Sequence, residues 1–366
     1  MIAAFNGIEQ MVERLYSEFD APIIIYPKKG KTIDLSTFPL EKIKKVNNVE
    51  FLSKAIEEIV IVKHEKKWVN AKIYGVDDNF YKMANIKQHI VDGERVKSPK
   101  KSIGLIGAGL LDKLQGYIHS DSSFESLILY IPKRNAKLHS MSSPFKTDNI
   151  LVSGRINYNK EVNDEAILLP FNYVQQLLDL ENYSNSIFLS IKEKKYLNNT
   201  KEEIQQILGN KFYVTTYLEK NKLIFQTSKS EKLIVFYILL FVFILALFNL
   251  ISSLTMLFIE KKQNMKWLNV MGLSYVNIKK VFFFQGIFIS LKGIIFGFVL
   301  GFGLVFAQKM GSFIVLPNSN YQAFPVLLKT VDIAIIFGFV IIFSILASFL
   351  TVNFLSKSFN NKMNEK

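Results

Sequence analysis

Gly30-Lys31-Thr32 ends the way a phosphate-binding loop ends. Such a loop also needs a glycine five residues before Gly30 and a helix directly after the threonine, so that backbone N–H groups and the lysine cradle phosphate oxygens. Position 25 is Ile25, and Ile33 to Pro39 (IDLSTFP) follows, so this stretch reads as a lysine-rich turn leaving a strand. Gly104, Gly107 and Gly109 lack the spacing of a dinucleotide loop and an acidic partner behind it; they read as tight packing at the start of a helix. No two of the histidines His64, His89, His119 and His139 stand four apart around a glutamate, as a zinc-binding helix requires. His119 to Ser123 (HSDSS) holds the residue types of a hydrolytic triad, but neighbours in sequence do not make that geometry, and the stretch reads as a solvated loop. The chain has no cysteine, which excludes disulfides, thiolate metal sites and a cysteine nucleophile. We expect no catalytic residue, no metal site and no enzymatic activity in this chain.

The elements that would position any site divide sharply in composition. Hydrophobic residues make up 49% of the 366 and mean hydropathy is +0.20, while 21% are charged, so apolar and charged residues must be segregated. That balance excludes a disordered or collagen-like chain. Leu233 to Ile259 holds no charged residue, Val281 to Ala307 is interrupted only by Lys292, and Val331 to Leu355 has a single acid, Asp332, at its edge. Each exceeds the ~20 residues a helix needs to cross the hydrocarbon core, which predicts transmembrane helices over about 233–259, 281–307 and 331–355.

The net charge of +14 suits nucleic acid or an anionic membrane surface, and these three runs decide for the membrane. Lys261, Lys262, Lys266, Lys279 and Lys280 crowd the 260–280 segment, whereas 308–330 carries only Lys309 and Lys329. The positive-inside rule then puts 260–280 and the C-terminus in the cytoplasm, with 308–330 and 1–231 outside. An outer domain of that size needs a signal peptide or an earlier membrane helix, and Met1 to Ile8 is too short for either. Residues 1–8 are therefore expected to be the end of a truncated first transmembrane helix.

Residues 9–231 interleave strands and helices without regular alternation, an α+β pattern. The periodicity predicts helices over Ile8–Phe19, Leu40–Val46, Gly104–Leu114, Asn172–Leu180 and Lys201–Leu208. Strands are predicted over Ile23–Tyr26, Ser126–Ile131, Ser186–Ile191 and Phe212–Thr215, with a hairpin of Ile56–Val62 and Val69–Val76.

Within the membrane region, Gly293, Gly297 and Gly301 recur every four residues and predict a smooth stripe for close helix packing. Asn249, Ser252 and Ser253 are expected to face other helices, and Lys292 to snorkel. The 260–280 segment is basic and amphipathic: Met265, Leu268, Val270 and Met271 with Trp267 can form an apolar face. A short helix of that kind between two membrane helices can pass a push from a soluble partner into the membrane.

Phe5 to Lys31 (FNGIEQMVERLYSEFDAPIIIYPKKGK) resembles the segment after the first membrane helix of lipoprotein-releasing permeases of the LolC/LolE type. Phe248 to Gly286 (FNLISSLTMLFIEKKQNMKWLNVMGLSYVNIKKVFFFQG) resembles the second membrane helix, coupling helix and third-helix start of FtsX-like ABC permeases, in versions from Bacteroidetes-like bacteria. The resemblance implies a bacterial inner-membrane protein with four membrane helices and a large periplasmic α+β domain, of MacB-like periplasmic core type, between the first two. It implies the division 1–8, 9–231 and 232–366. A separate ABC ATPase, binding ATP and magnesium, would grip Glu260, Lys261, Lys262, Met265, Trp267, Leu268, Met271 and Gly272. No cofactor is expected in this chain itself. A second permease subunit, identical or related, would pair with it. Helix packing is expected at Asn249, Gly293, Gly297 and Gly301 from residue type and spacing. Lipoprotein, lifted out of membrane lipid, would be the substrate. A periplasmic carrier would meet the loop around Pro132, Lys133, Arg134, Pro144 and Phe145. Nucleic acid is not an expected partner. Alternatives within the family are MacB-like export of peptides or drugs, to which the absence of a Walker motif is unfavourable, and FtsX-like regulation of a cell-wall hydrolase.

Overall fold

The computed structural model describes residues 1–95, 102–118, 125–133, 144–316 and 323–364, with side chains to residue 357. The chain divides into two compact units, one of residues 1–11 with 224–366 and one of residues 12–223.

The 12–223 unit is built on a sheet of ten strands among the described residues. In chain order these are β1 (Ile23–Pro27), β2 (Val49–His64), β3 (Lys67–Val76), β4 (Ile90–Gly93), β5 (Ile103–Gly107), β6 (Glu125–Pro132), β7 (Phe145–Ile156), β8 (Ala166–Pro170), β9 (Ser186–Ile191) and β10 (Phe212–Thr216). Their order across the sheet is β10-β1-β9-β2-β3-β8-β5-β7-β4, and β6 bridges β2 and β7. Two neighbouring pairs are parallel, β3 with β8 and β5 with β7, and the others are antiparallel.

Alternate residues of the central strands feed two separate apolar clusters. Ala71 and Ile73 of β3, Ile106 of β5 and Ile167 and Leu169 of β8 enter one. Tyr74, Val76, Leu105, Ala166 and Leu168 enter the other. Because successive side chains point to opposite faces, both faces of the central sheet are covered, which is why these strands read as continuous apolar runs. Helices α2 (Ala108–Leu114) and α3 (Phe171–Leu177) bury Leu110, Leu111, Leu114 and Val174 in the first cluster. In the second, Phe19 meets Tyr74, Phe80 and Tyr158 edge-on at 5.2–5.6 Å. Helix α4 (Leu197–Leu208) buries Ile204 and Leu208 and precedes β10.

The predicted helix over Gly104–Leu114 is corrected. Residues 103–107 form β5 and the helix begins at Ala108. A Cβ at Gly104 would collide with the carbonyl of Leu168 in β8, and one at Gly107 with Asn163 and Val162. These glycines permit close approach within and beside a sheet. The N-terminal helix α1 spans Ile2–Ser17, starting earlier than its apolar period suggests.

The other unit contains α5 (Lys222–Glu260), α6 (Lys262–Val270), α7 (Tyr275–Gly311) and α8 (Thr330–Asn364). Three of them, α5, α7 and α8, are long and apolar enough to cross a membrane. Residues 1–11 of α1 dock in this unit. Asn6, 1% exposed, donates through Nδ2 to Asp332 Oδ2 at 2.5 Å and to Leu327 O at 3.4 Å, and its Oδ1 accepts from Lys232 Nζ at 2.8 Å. Glu9 adds ion pairs to Lys232 at 3.4 Å and Lys329 at 3.6 Å. At the end of α7, Gln308 fixes the following loop with bonds to Ile314 O, Ile314 N and Phe324 O.

Candidate coupling site

Helix α6 sits between the last residue of α5 and the first turn of α7, and of its nine residues only Met265 is buried. Met265 packs with Phe258 of α5, Ile278 and Phe282 of α7 and Val352 of α8. Phe258 and Phe282 approach to 5.1 Å between centroids. One side chain of the short helix thus touches a cluster supplied by all three membrane helices.

The turn that follows is defined by Gly272. Its φ is +96°, a region L-side chains rarely adopt. Gly272 N donates to Asn269 O and Leu273 N to Leu268 O, both at 3.0 Å, the paired closure of a Schellman stop. Two polar ties hold the base of α7 to α8 beside this turn. Tyr275 Oη donates to the carbonyl of Ser356, and Lys279 Nζ to Asn353 Oδ1 at 2.9 Å.

The remaining residues of α6 are exposed. Gln263, Lys266, Trp267, Val270 and Met271 follow helical spacing, and all are exposed, Trp267 by 64% and Val270 by 80%. With Ile259, Glu260 and Lys262, all of these except Met271 line a groove of about 570 Å³ that includes neither Met265 nor Leu268. Glu260 pairs with Lys261 at 3.0 Å. Among the residues expected to couple, Met265 therefore anchors, Gly272 ends the helix, and Glu260, Lys262 and Trp267 line an open groove. The chemistry available is recognition, with cationic and aromatic groups beside one carboxylate. Among the described residues no three His, Asp or Glu side chains gather as metal ligands.

Other expected residues fall elsewhere. Pro132 and Phe145 pair across β6 and β7 at the end of the hairpin, and Lys133 N donates to Pro144 O at 2.9 Å. The loop beyond, with Arg134, lies outside the described residues, as do His119 and His139. His64 is tied through both ring nitrogens, at 2.9 Å to Leu114 O and 2.9 Å to Glu125 Oε1. His89 stacks on Tyr158 at 3.9 Å.

Among the described residues, apart from the helix's own adjacent backbone, nothing lies within 4 Å of a Cβ built on Gly293, Gly297 or Gly301, and Asn249, Ser252 and Ser253 are exposed. The close helix contact inside the chain is instead at Gly286, where an added Cβ would meet Ser348 Oγ at 2.5 Å and Leu254 at 2.9 Å. The sequence carried a faint signal for it, since Ser344, Ser348 and Thr351 recur on α8 at helical spacing and are all buried. Lys292 is exposed.

Residues 236–358, which span α6, α7 and most of α5 and α8, match the family described as FtsX-like permease C-terminal. The C-terminal region is an FtsX-like permease domain. The likeness to lipoprotein-releasing system transmembrane proteins LolC runs further. The protein of Buchnera aphidicola subsp. Schizaphis graminum (strain Sg) is 25% identical over 321 residues, 86% of this chain and 76% of that one. That of Buchnera aphidicola subsp. Acyrthosiphon pisum (strain APS) is 25% identical over 319 residues, 85% and 75% of the two chains. Among solved structures, the periplasmic region of MacB from Actinobacillus actinomycetemcomitans is 11% identical, covers 59% of this chain and 97% of its own, and has a TM-score of 0.39. The FtsX-like match therefore sits in a chain similar to LolC proteins over most of its length, and the α+β unit of residues 12–223 precedes it in sequence.

Proposed function

We propose that this chain is the permease subunit of an ABC transporter that extracts lipoproteins from the bacterial inner membrane and delivers them to a periplasmic carrier. A separate ATPase docks on α6, and its ATP-driven movement reaches the 12–223 unit, which lies in the periplasm. The observation that carries this reading is the state of α6: one buried residue seated on all three membrane helices, and the rest of the helix open as an aromatic and basic surface. A helix held so lightly to its own chain is suited to a partner's grip, and the cluster under Met265 gives that grip a path into α5, α7 and α8. The lipoprotein substrate is supported by the LolC relatives. Moving an acyl chain out of a bilayer costs ~0.8 kcal/mol per CH₂, which makes coupling to ATP reasonable.

The test is affinity purification of the tagged chain from native membranes with mass spectrometry of its partners. An ABC ATPase together with lipoproteins or a periplasmic carrier is the expected result. An ATPase with an outer-membrane duct would replace lipoprotein release by efflux, and the absence of any ATPase would overturn the coupling role of α6.

A further inference from the structure

The 12–223 unit is joined to the rest of the chain at two places, through α1 and through α5, and one carboxylate holds both. Asp20 follows the end of α1. Its Oδ1 accepts from Lys220 Nζ at 2.6 Å and its Oδ2 from Asn221 Nδ2 at 2.6 Å. Lys220 and Asn221 are the two residues before α5. Beside them, Tyr217 Oη donates to Glu13 Oε1 at 2.9 Å and Tyr217 N to Pro22 O at 3.3 Å. The one-turn helix Tyr217–Lys220 is itself fixed by a capping box between Thr216 and Glu219.

The same lysine faces inward. Glu57, in the middle of β2, is an ion-pair partner of Lys72 in β3 and accepts from Tyr26 Oη at 3.3 Å. Its side chain is 9% exposed, like that of Asp20, and it attracts Lys220 electrostatically. Asp20, Lys220, Glu57 and Lys72 thus alternate in sign from the foot of α5 into the sheet.

A buried chain of charges is a poor way to gain stability, because apolar side chains of the same volume do as well or better. What it does provide is register. An apolar contact tolerates sliding, whereas hydrogen-bonded charges favour one arrangement. We propose that Asp20 is a positioning residue of the transport cycle: with Lys220 it locks the foot of α5 to the end of α1, so that movement carried by α5 is delivered to β2 and β3 instead of being lost in the connecting residues. This rests on the permease reading above, and neither residue touches substrate.

The test uses the full chain with its ATPase in proteoliposomes. Because the natural chain has no cysteine, Lys66→Cys at the β2–β3 turn and Glu231→Cys on α5 give a unique pair for spin labels. The readout is the change in the distance distribution between ATP-bound and nucleotide-free states, alongside ATP hydrolysis and thermal unfolding. The Asp20→Asn/Lys220→Met double variant removes both charges and leaves no ion unpaired, so it keeps the fold where single variants fail. We expect unchanged unfolding temperature and ATPase binding, with the population shifted by ATP falling about tenfold. A double variant that responds to ATP like the parent overturns the proposal. So does a double variant whose loss of response is matched by its loss of unfolding temperature, since that is a structural role alone. No ATP response in the parent overturns the permease reading and this proposal with it.

Discussion

Asn6 of α1 and Asp332 of α8 meet through a 2.5 Å hydrogen bond in a pocket where Asn6 is 1% exposed. The amide is the hub of its surroundings, donating to a carboxylate and a carbonyl and accepting from Lys232. Replacing it leaves three groups short of a partner. Asn6→Leu should lower stability by about 2–4 kcal/mol, summing the loss over these groups. It should also expose the 324–332 segment to protease. Thermal unfolding in detergent with limited proteolysis checks both, and an unchanged cleavage pattern would show that the segment does not depend on α1.

The two faces of α6 predict opposite phenotypes. Met265→Ala removes the anchor and should cost about 2–4 kcal/mol. Trp267→Ala removes an exposed ring, so stability should stay within about 0.5 kcal/mol while ATPase capture falls. Comparing unfolding temperature with the amount of co-purified ATPase separates them; a stable Trp267 variant with full capture would remove Trp267 from the interface.

At Gly272 the backbone itself is at stake. With φ at +96°, alanine is strained whatever space surrounds it. Gly272→Ala should cost about 1–2 kcal/mol, and Gly272→Asn less, since asparagine tolerates left-handed backbone better. Equal losses for the two would argue against backbone strain.

Glycine substitutions on α7 should also divide. Gly286→Leu collides with Ser348 and Leu254 and should block folding of the membrane unit. A Cβ at Gly297 meets no other element among the described residues, so the Gly297→Leu subunit should still fold. If Gly297 packs against another subunit, size-exclusion of the complex will show its loss while the isolated chain behaves normally.

The charge chain sets a pH dependence at each end of the scale. Burial pushes the Glu57 carboxyl up, but Lys72, then Lys220, and hydrogen bonds from Lys72 and Tyr26 outweigh it and hold it below the ordinary 4.5. Its contribution is present above pH 4.5 and is lost as pH falls through the lowered folded value. For Lys220, burial pulls the ammonium down while Asp20 and Glu57 more than compensate, raising it above 10.5. That contribution is present below pH 10.5 and disappears as pH rises through the raised value. Glu57→Gln should cost about 1–3 kcal/mol at neutral pH, less than stripping a fully buried pair, because Lys72 keeps part of its surface in water. It should also flatten the acid limb of a plot of unfolding temperature against pH. An unchanged acid limb would assign the acid sensitivity to other carboxylates.

Much of this architecture was legible because it depends on short-range pattern. Hydropathy over a window marks the three long helices, the β2–β3 hairpin shows as two apolar runs around a charged turn, and Ser186–Ile191 is a strand at its predicted bounds. Residues 104–107 were misread because a short run of Ile, Leu and Gly fits a helix or a fully buried strand equally well, and the neighbours β7 and β8 decide. The same limit applies to the coupling helix. Met265 and Trp267 are both apolar in sequence, and which of them turns inward is settled by Phe258, Ile278 and Phe282. Asp20 and Lys220 carried no signal at all. No local spacing relates residues 200 positions apart, and each alone is an ordinary charge beside a helix end.

The position of β1 in the sheet has a consequence for how the protein is made. Although β1 is the first strand of the main sheet to emerge, its partners are β9 and β10, with Ile23 opposite Leu189 and Thr216. At roughly 5–20 residues per second of synthesis, β1 waits on the order of ten seconds before either partner exists. Its apolar run Ile23-Ile24-Ile25 is fully buried at the end and bare until then. Chaperone contact during biogenesis should therefore concentrate on this early strand, released when residue 216 arrives.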